Sequence, residues 1–146
     1  MRAIPNPGPF THVVRPRYAE VDMQRVVFNG HWLTYFDDAT TRFYESLGYD
    51  PKQTFIGQQN FDVMIVKAVL EWRGSATFDD QVSITVRPER IGNKSFDLRF
   101  AASVEDRPVC EATITYVSVV PGTHEASPIP ELLRQRLEGA KSAPAS

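Results

Sequence analysis

Residues 18–48 read YAEVDMQRVVFNGHWLTYFDDATTRFYESLG, and this stretch decides how the chain folds. Its first half is a loop that carries two carboxylates, Glu20 and Asp22. In its second half, apolar residues recur at steps of three and four, which places them on one face of an amphipathic helix. That face is formed by Trp32, Phe36, Ala39, Phe43 and Leu47. Gly48 follows the last of them, where a left-handed cap would end the helix.

From Phe61 onward the apolar period changes from helical to two, which indicates strands. The first such segment alternates Met64, Val66, Ala68, Leu70 and Trp72 on one face. The opposite face begins with Val63 and Ile65 and is too apolar there for open solvent, so we expect part of it to meet another chain.

Three further strands and an earlier one are indicated by the same alternation. Pro16 cannot donate a ladder hydrogen bond, so the earliest strand should lie at an edge or end there. Loops are expected at Tyr49–Gln59 and Pro88–Lys94, and a short helix at Glu131–Gly139. The strand positions are Thr11–Arg17, Val82–Arg87, Phe96–Val104 and Cys110–Tyr116.

The fold class that follows is α+β, an antiparallel sheet of about five strands covered by one long helix. At 146 residues the chain is most simply one domain. We expect an extended N-terminal arm at residues 1–10, one domain at 11–140 and a disordered tail at 141–146.

Composition excludes several function classes. Apolar and charged residues make up 42% and 23%, and the net charge of −2 is spread along the chain, so we expect no nucleic-acid or membrane partner. The N-terminus lacks the apolar run of a signal peptide, so the expected location is the cytoplasm. Cys110 is the single cysteine, and His12, His31 and His124 are too dispersed for a metal site, so no metal or cofactor is expected.

Asp22 is the sharpest candidate for chemistry. It lies just ahead of a helix N-terminus, where the first amides lack intrahelical partners and the dipole favours negative charge. A carboxylate beside oxyanion donors suits acyl transfer, since the donors polarise a carbonyl while the carboxylate attacks it or activates water. The alternative is that Asp22 only caps a turn, as aspartate commonly does. Glu20 is interpreted as a solvated or loop-bracing residue and not as a second catalytic acid.

The same residues resemble a known signature. Residues 17–39 are similar to the motif Tyr-x-Glu-x-Asp-x-x-Gly-Val-Val-Phe/Tyr, followed by an aromatic residue and Glu/Asp-x-Ala, of the 4-hydroxybenzoyl-CoA thioesterase family of hotdog-fold acyl-CoA thioesterases. A weaker similarity continues through residues 76–80 and 90–96. The resemblance implies a hotdog fold, in which a sheet wraps one central helix.

Carried over by position, the resemblance assigns roles to several residues. Asp22 falls on the family's catalytic carboxylate, proposed as nucleophile or general base. Asn29 falls where a main-chain amide polarises the thioester carbonyl. Phe28, His31 and Trp32 would line the acyl pocket; His31 is equally interpretable as a packed or capping residue.

Two departures from the signature matter. Arg25 stands where the family usually has glycine, which would alter the loop or add a charge near the pocket. Asn29 replaces a residue that is often His or Tyr, but a role of its main-chain amide does not depend on the side chain.

A second segment is implicated in coenzyme A binding by the resemblance. It flanks a hairpin turn, and a solvated turn with ordinary surface bases is the alternative interpretation. The residues concerned are Arg90, Asn93, Lys94 and Ser95.

The resulting hypothesis is a thioesterase that hydrolyses an acyl-CoA to a free acid and coenzyme A, with a carrier-protein thioester as an alternative substrate. We expect a homodimer or homotetramer, because a long edge strand is usually paired and the family's active site forms between subunits. The alternative from another class is a hotdog protein that binds an acyl thioester or an acyl carrier without turnover. A hotdog hydratase is a weaker third possibility.

Overall fold

The computed structural model describes residues 10–56 and 60–141. The predicted arm up to residue 9, positions 57–59 of the predicted loop and the predicted tail from 142 onward lie outside the described residues. β1 begins at Phe10 and the last helix includes Lys141, one residue beyond each predicted domain boundary.

Five strands and three helices make up the described chain, with a single 3₁₀ turn at Tyr18–Glu20 between β1 and α1. In chain order they are β1 (Phe10–Val14), α1 (His31–Ser46), α2 (Pro51–Phe55), β2 (Asp62–Trp72), β3 (Val82–Ile91), β4 (Ser95–Val104), β5 (Arg107–Val119) and α3 (Glu131–Lys141).

The strands form one antiparallel sheet in the order β1-β3-β4-β5-β2. The expected α+β architecture is confirmed: α1 lies across one face of this sheet, which is the hotdog arrangement. β1 and β2 are the two edges, so the predicted edge position of the first strand is also confirmed. β1 stops at Val14 rather than running to Arg17, because Pro16 cannot continue the ladder.

The apolar face predicted for α1 is its buried face. Trp32, Phe36, Ala39 and Phe43 are at most 2% exposed. Phe36 packs against Phe100 of β4 with 5.0 Å between ring centroids. The helix therefore supplies a row of aromatic rings to the core, while the even-numbered residues of β3–β5 supply the opposing layer.

β2 departs from the predicted alternation because it contains a bulge. Ala68 pairs with Ile114, but the register shifts between Ile65 and Lys67, so Ile65 pairs with Tyr116. A one-residue slip moves every following side chain to the other face. Ile65 and Val63 consequently point to the helix side with Ala68, whereas the sequence had assigned that side to Met64 and Val66.

Two predicted loops contain more regular structure than expected. β3 runs through Pro88 to Ile91, and the hairpin loop is confined to residues 92–94. Pro88 is tolerated because β1 pairs with β3 only as far as Val86 within the described residues, so no described strand needs the missing amide of Pro88 on that side, and a register shift follows it. In the other loop, Asp50 accepts the amides of Lys52 and Gln53 and caps α2.

Asp38 and Arg42 lie four residues apart on α1, a spacing that would allow an ion pair across one helical turn, but each of them pairs with another residue. Asp38 Oδ2 lies 2.8 Å from His12 Nε2 on β1, and Arg42 pairs with Glu45 at 3.1 Å. The contact from β1 draws Asp38 away from its own helix, so the charge pattern of α1 serves a tertiary contact.

Phe36→Ala should destabilise the protein by about 3–5 kcal/mol, because it removes a fully buried ring and leaves a cavity between α1 and β4. Urea unfolding measures the change in the free energy of unfolding. Thr34→Ala, at an exposed position of the same helix, should change it by less than about 0.5 kcal/mol. Equal effects of the two variants would contradict this description of the core.

Candidate functional site

Asp22 sits in a tight turn formed by main-chain hydrogen bonds. Its amide donates to the carbonyl of Val26 at 2.9 Å, and the amide of Arg25 donates to the Asp22 carbonyl at 2.9 Å. The Asp22 carboxylate accepts the amide of Gln24 at 2.8 Å. Arg25 has a φ of 65°, the left-handed region that favours glycine. The turn thus keeps a glycine-like backbone with an arginine in it.

This turn is fastened to the segment that leads into α1. Val21 and Val27 form an isolated antiparallel bridge, and the amide of Phe28 donates to the carbonyl of Glu20 at 3.0 Å. The chain that follows β2 holds the turn from outside: Ala76 accepts the amide of Val27, and the Thr77 hydroxyl donates to the Arg25 carbonyl at 2.6 Å. Asp22 is therefore held on the strand-like segment adjacent to the start of the helix.

The start of α1 offers two main-chain donors. Gly30 is the N-cap residue and provides no side chain to satisfy them. The amide of His31 donates to Phe28 and that of Trp32 to Asn29, but those of Asn29 and Gly30 find no acceptor in residues 10–56 or 60–141. Unsatisfied amides at the positive end of a helix dipole can donate hydrogen bonds to an oxyanion.

Three aromatic residues predicted to line the acyl pocket lie in different environments. Phe28 is 53% exposed and packs edge-on against His31, which is half-buried, with 6.1 Å between centroids. Trp32 is buried against Tyr35 and Phe36. In one subunit, Phe28 and His31 present a surface beside the free amides, while Trp32 belongs to the core beneath them.

Glu20 is buried and braces the loop, so of the two roles that the sequence left open the solvated one is wrong. Its buried carboxylate accepts the amide and guanidinium of Arg17, the latter at 3.0 Å, and the hydroxyl of Tyr35 at 2.9 Å. Burial by itself raises the pKa of Glu20, but these hydrogen bonds from Arg17 and Tyr35 outweigh it and hold the pKa below the ordinary 4.5. The carboxylate is thus ionised at neutral pH and ties the loop to the buried side of α1.

A groove runs along α1 where the helix faces the edge strand β2. Two adjoining cavities, of about 510 and 360 Å³, share Asp37, Ile65 and Tyr116 as lining residues. One reaches Leu33 at the first turn of the helix and the other reaches Tyr44. The groove therefore extends from the neighbourhood of the free amides along most of the helix.

Sequence patterning missed this groove. Ile65 lines it only because the β2 bulge turns its side chain to the helix side. Tyr116 was identified as an inward residue, but nothing in the alternation marked it as a cavity wall. Burial raises its pKa to about 12, and its hydroxyl lies 3.4 Å from that of Thr40. Among the described residues, the buried hydroxyl of Tyr44 has no hydrogen-bond partner.

The segment predicted to bind coenzyme A lies at the opposite end of the sheet from Asp22. The Asp22 loop contacts Ala76 and Thr77, ahead of the start of β3, whereas the 92–94 hairpin follows its end. Arg90 is held by Asp97 and by the hydroxyl of Ser95 at 2.9 Å. α1 has 16 residues and spans roughly 24 Å. Asp22 and Arg90 of one subunit are therefore not brought together.

The main chain of this hairpin also accepts hydrogen bonds from the C-terminal part of the chain. The carbonyl of Asn93 accepts the amide of Ile129 and the guanidinium of Arg134, and the carbonyl of Lys94 accepts the amide of Ser118. These are main-chain contacts, so the exposed side chains of Asn93 and Lys94 stay available to a ligand.

Other chemistries have less support. Cys110 is buried, and that burial raises its pKa to about 12, so its thiol is a small core residue, as predicted. Residues 10–56 and 60–141 contain no group of three or more potential metal ligands. In the same part of the chain, none of the helices is long and apolar enough to cross a membrane.

A carboxylate loop, free helix-start amides and a groove along a central helix together define a hotdog protein with the parts of an acyl-transfer site. The sequence model of the thioesterase-like superfamily matches residues 16–137, most of the chain. The chain belongs to the thioesterase-like superfamily. Its activity class is thioester hydrolysis.

Individual relatives agree with this assignment. A 1,4-dihydroxy-2-naphthoyl-CoA hydrolase from Synechococcus elongatus is 22% identical over 122 residues, 84% of this chain and 90% of the relative. The crystal structure of a 1,4-dihydroxy-2-naphthoyl-CoA thioesterase from Synechocystis matches with a TM-score of 0.78 at 17% identity, covering 89% of this chain and 96% of that one. A Staphylococcus aureus protein in complex with CoA matches with a TM-score of 0.83 at 14% identity, covering 94% and 87%. At these identities the solved structures establish the fold alone.

Glu20→Gln should destabilise the protein at neutral pH by about 1.5–3 kcal/mol, because it removes the charge that Arg17 and Tyr35 bind. A carboxylate with a depressed pKa contributes its stability above the unfolded pKa, close to 4.5, and loses it as the pH falls through the lower folded value. The difference between wild type and variant should therefore be complete at pH 7 and shrink below about pH 4.5. Urea unfolding at pH 7, 5 and 3.5 measures it; a difference independent of pH would contradict the assigned network.

Proposed function

We propose that this protein hydrolyses acyl-CoA thioesters to a carboxylic acid and coenzyme A, with Asp22 as the reacting carboxylate and the amide of Asn29 as the oxyanion donor. The observation that carries the proposal is the fastening of the Asp22 turn to a helix start whose amides are unsatisfied. The hydrogen bond from Gln24 to Asp22 is also what a simple turn residue would accept, so it does not by itself assign a role.

In the proposed reaction, the thioester carbonyl oxygen first accepts hydrogen bonds from the amides of Asn29 and Gly30. They stabilise the negative charge that develops on this oxygen in the tetrahedral state. In one route a carboxylate oxygen of Asp22 attacks the carbonyl carbon, the C–S bond breaks, coenzyme A leaves as the thiolate, and water cleaves the resulting anhydride. In the other, Asp22 takes a proton from a water molecule that attacks the carbonyl carbon directly; the C–S bond then breaks, and coenzyme A leaves as the thiolate or, with the proton returned from Asp22, as the thiol.

We propose coenzyme A as the group that carries the acyl chain, because several relatives of this chain are named for acyl-CoA substrates or were solved with CoA. A Synechococcus hydrolase and a Synechocystis thioesterase that resemble this chain carry an acyl-CoA in their names, and the Staphylococcus protein was solved with CoA. A thioester of an acyl-carrier protein would present the same reacting atoms.

The acyl group is proposed to enter the groove between α1 and β2. Its walls are largely apolar, with Leu33, Ala68 and Ile114 near the helix start and Phe55 and Val63 farther along. Since the groove starts at the first turn of α1, an acyl chain whose carbonyl is held at the Asn29 amide can extend directly into it.

A homodimer is proposed to complete the site. β2 is an eleven-residue edge strand, and Ile65 is 51% and Val66 59% exposed. An edge strand that is this long and this apolar is usually covered by another chain. If two β2 strands pair antiparallel about a two-fold axis, the end of one sheet that carries Arg90 and Lys94 lies at the same end as Asp22 of the partner. The predicted coenzyme A residues would then act across the interface.

Asp22→Asn should lower kcat by at least about 100-fold while the protein stays folded, because asparagine keeps the turn hydrogen bond but cannot attack or take a proton. Thiol release from a panel of benzoyl-, short-, medium- and long-chain acyl-CoAs measures the effect.

Asp50→Asn is the matched control, because Asp50 also accepts the amide two residues ahead but caps α2. It should retain activity. Equal turnover by wild type and Asp22→Asn would show that Asp22 is a turn residue. A folded wild type that hydrolyses no member of the panel would favour the binding-protein alternative or a carrier-protein substrate.

Val66→Asp should dissociate the proposed dimer and abolish turnover together, because it places a charge on an exposed β2 residue that lies outside the groove lining, where an apolar partner surface is expected. Sedimentation velocity measures the mass and thiol release the activity. Ile56→Asp, at a residue that is 82% exposed outside the groove, should change neither. A monomeric wild type with full activity would exclude the interface from the site.

A further inference from the structure

Arg25 is a strained residue that the turn does not need as an arginine. Its φ of 65° lies in the left-handed region, where a side chain costs roughly 1–2 kcal/mol. The bonds that hold it are main-chain contacts: its amide donates to Asp22, and its carbonyl accepts from Thr77. Glycine would make the same bonds without the strain, so the fold gives no reason for the guanidinium.

The guanidinium of Arg25 is exposed and has no hydrogen-bond or ion-pair partner among the described residues, Asp22 included. Other arginines of the described chain are engaged. The nearby acids Glu20 and Asp79 are held by other residues, Arg17 and Arg15. Those that pair with carboxylates include Arg15, Arg17, Arg42, Arg73, Arg90, Arg99 and Arg134.

The place of Arg25 fits a ligand role. It is three positions from Asp22, on a turn pinned to the chain after β2, so its backbone is fixed relative to the free amides of α1. A guanidinium binds carboxylate or phosphate oxygens in a bidentate manner. Strained residues that the fold does not require are found at ligand sites.

We infer that Arg25 binds an anionic group of the thioester substrate whose carbonyl lies at the Asn29 amide. The inference rests on the proposed function. Two parts of such a substrate carry anionic oxygens: the phosphates of coenzyme A and a carboxylate on the acyl group. Arg25 lies outside the lining of the groove, so the exposed part of the substrate is the nearer source.

The test compares wild type with Arg25→Gly and Arg25→Lys. Three thioesters are used: benzoyl-CoA, 4-carboxybenzoyl-CoA and S-benzoyl-N-acetylcysteamine, which lacks phosphate. Asp106→Gly is the matched control, because Asp106 also has a φ of 65° but lies in the β4–β5 turn. It should leave every KM unchanged. Arg25→Gly should raise the melting temperature, since it relieves the strained backbone, so a loss of activity cannot reflect unfolding.

If Arg25 binds a phosphate, Arg25→Gly raises KM for both CoA thioesters by about 10- to 100-fold, spares the N-acetylcysteamine thioester, and is partly rescued by lysine. If it binds an acyl carboxylate, only 4-carboxybenzoyl-CoA is affected. Three outcomes would overturn the inference. Unchanged kinetics would mean that Arg25 binds no ligand, and an equal loss of activity on all three thioesters would assign it to the turn itself. A changed mass in sedimentation would assign it to a subunit contact.

Calorimetric titration with free coenzyme A separates this inference from the proposed function. It needs no turnover, so it decides the matter even if wild type hydrolyses none of the thioesters, an outcome that would refute the proposed function. In that case weaker binding to Arg25→Gly than to wild type supports the inference. Titration with 4-carboxybenzoyl-CoA, which persists when there is no turnover, tests the acyl carboxylate in the same way. Equal binding of both ligands by the two proteins, or no binding to either protein, overturns the inference.

Discussion

The burial of one face of α1 against the sheet is the interaction on which the rest of the structure depends. Trp32, Phe36 and Phe43 are inserted between the helix and the inner rows of β3–β5, and each large apolar side chain contributes about 1.5–3 kcal/mol when it leaves water. Since β3–β5 supply the opposing layer and the edge strand β1 also contacts the helix, through His12 to Asp38 and Phe10 to Phe43, the position of the helix is fixed by the core. The helix start is then a rigid platform for a ligand.

The two ends of α1 are held by different means. At its start, Glu20 is buried and bound by Arg17 and Tyr35, and its carbonyl accepts the amide of Phe28, so Glu20 ties the loop that carries Asp22 to the start of the helix. At its end, α3 packs its apolar residues into the same core, and Arg136 lies 4.6 Å over the ring of Tyr49. A fixed helix and a fixed loop give the preorganisation that oxyanion binding requires.

One subunit leaves the proposed site incomplete. The groove between α1 and β2 is open along the edge strand, and the residues expected to bind coenzyme A lie at the far end of the sheet. The proposed homodimer, with a second chain paired with β2, accounts for both features. The unsatisfied hydroxyl of Tyr44 lies under this same groove, where a ligand or a partner is expected.

The sequence by itself determined the elements whose patterns are local. The three-four spacing of Trp32 and Phe36 defined the buried face of α1, the period of two defined β3–β5, and Pro16 predicted an edge for β1. The turn around Asp22 could be singled out because residues 17–39 carry a recognisable motif. These features depend on neighbouring residues, which the sequence shows directly.

Only the tertiary structure decided what depends on contacts between distant segments. The bulge in β2 reversed the faces of Ile65 and Val66, because register is set by pairing with β5 and not by alternation within β2. Asp38 pairs with His12 rather than with Arg42. Arg25 has a strained backbone and no partner within residues 10–56 and 60–141, which could be known only once its backbone and surroundings were defined. The groove, likewise, exists only where a helix and an edge strand meet, and no single segment encodes it.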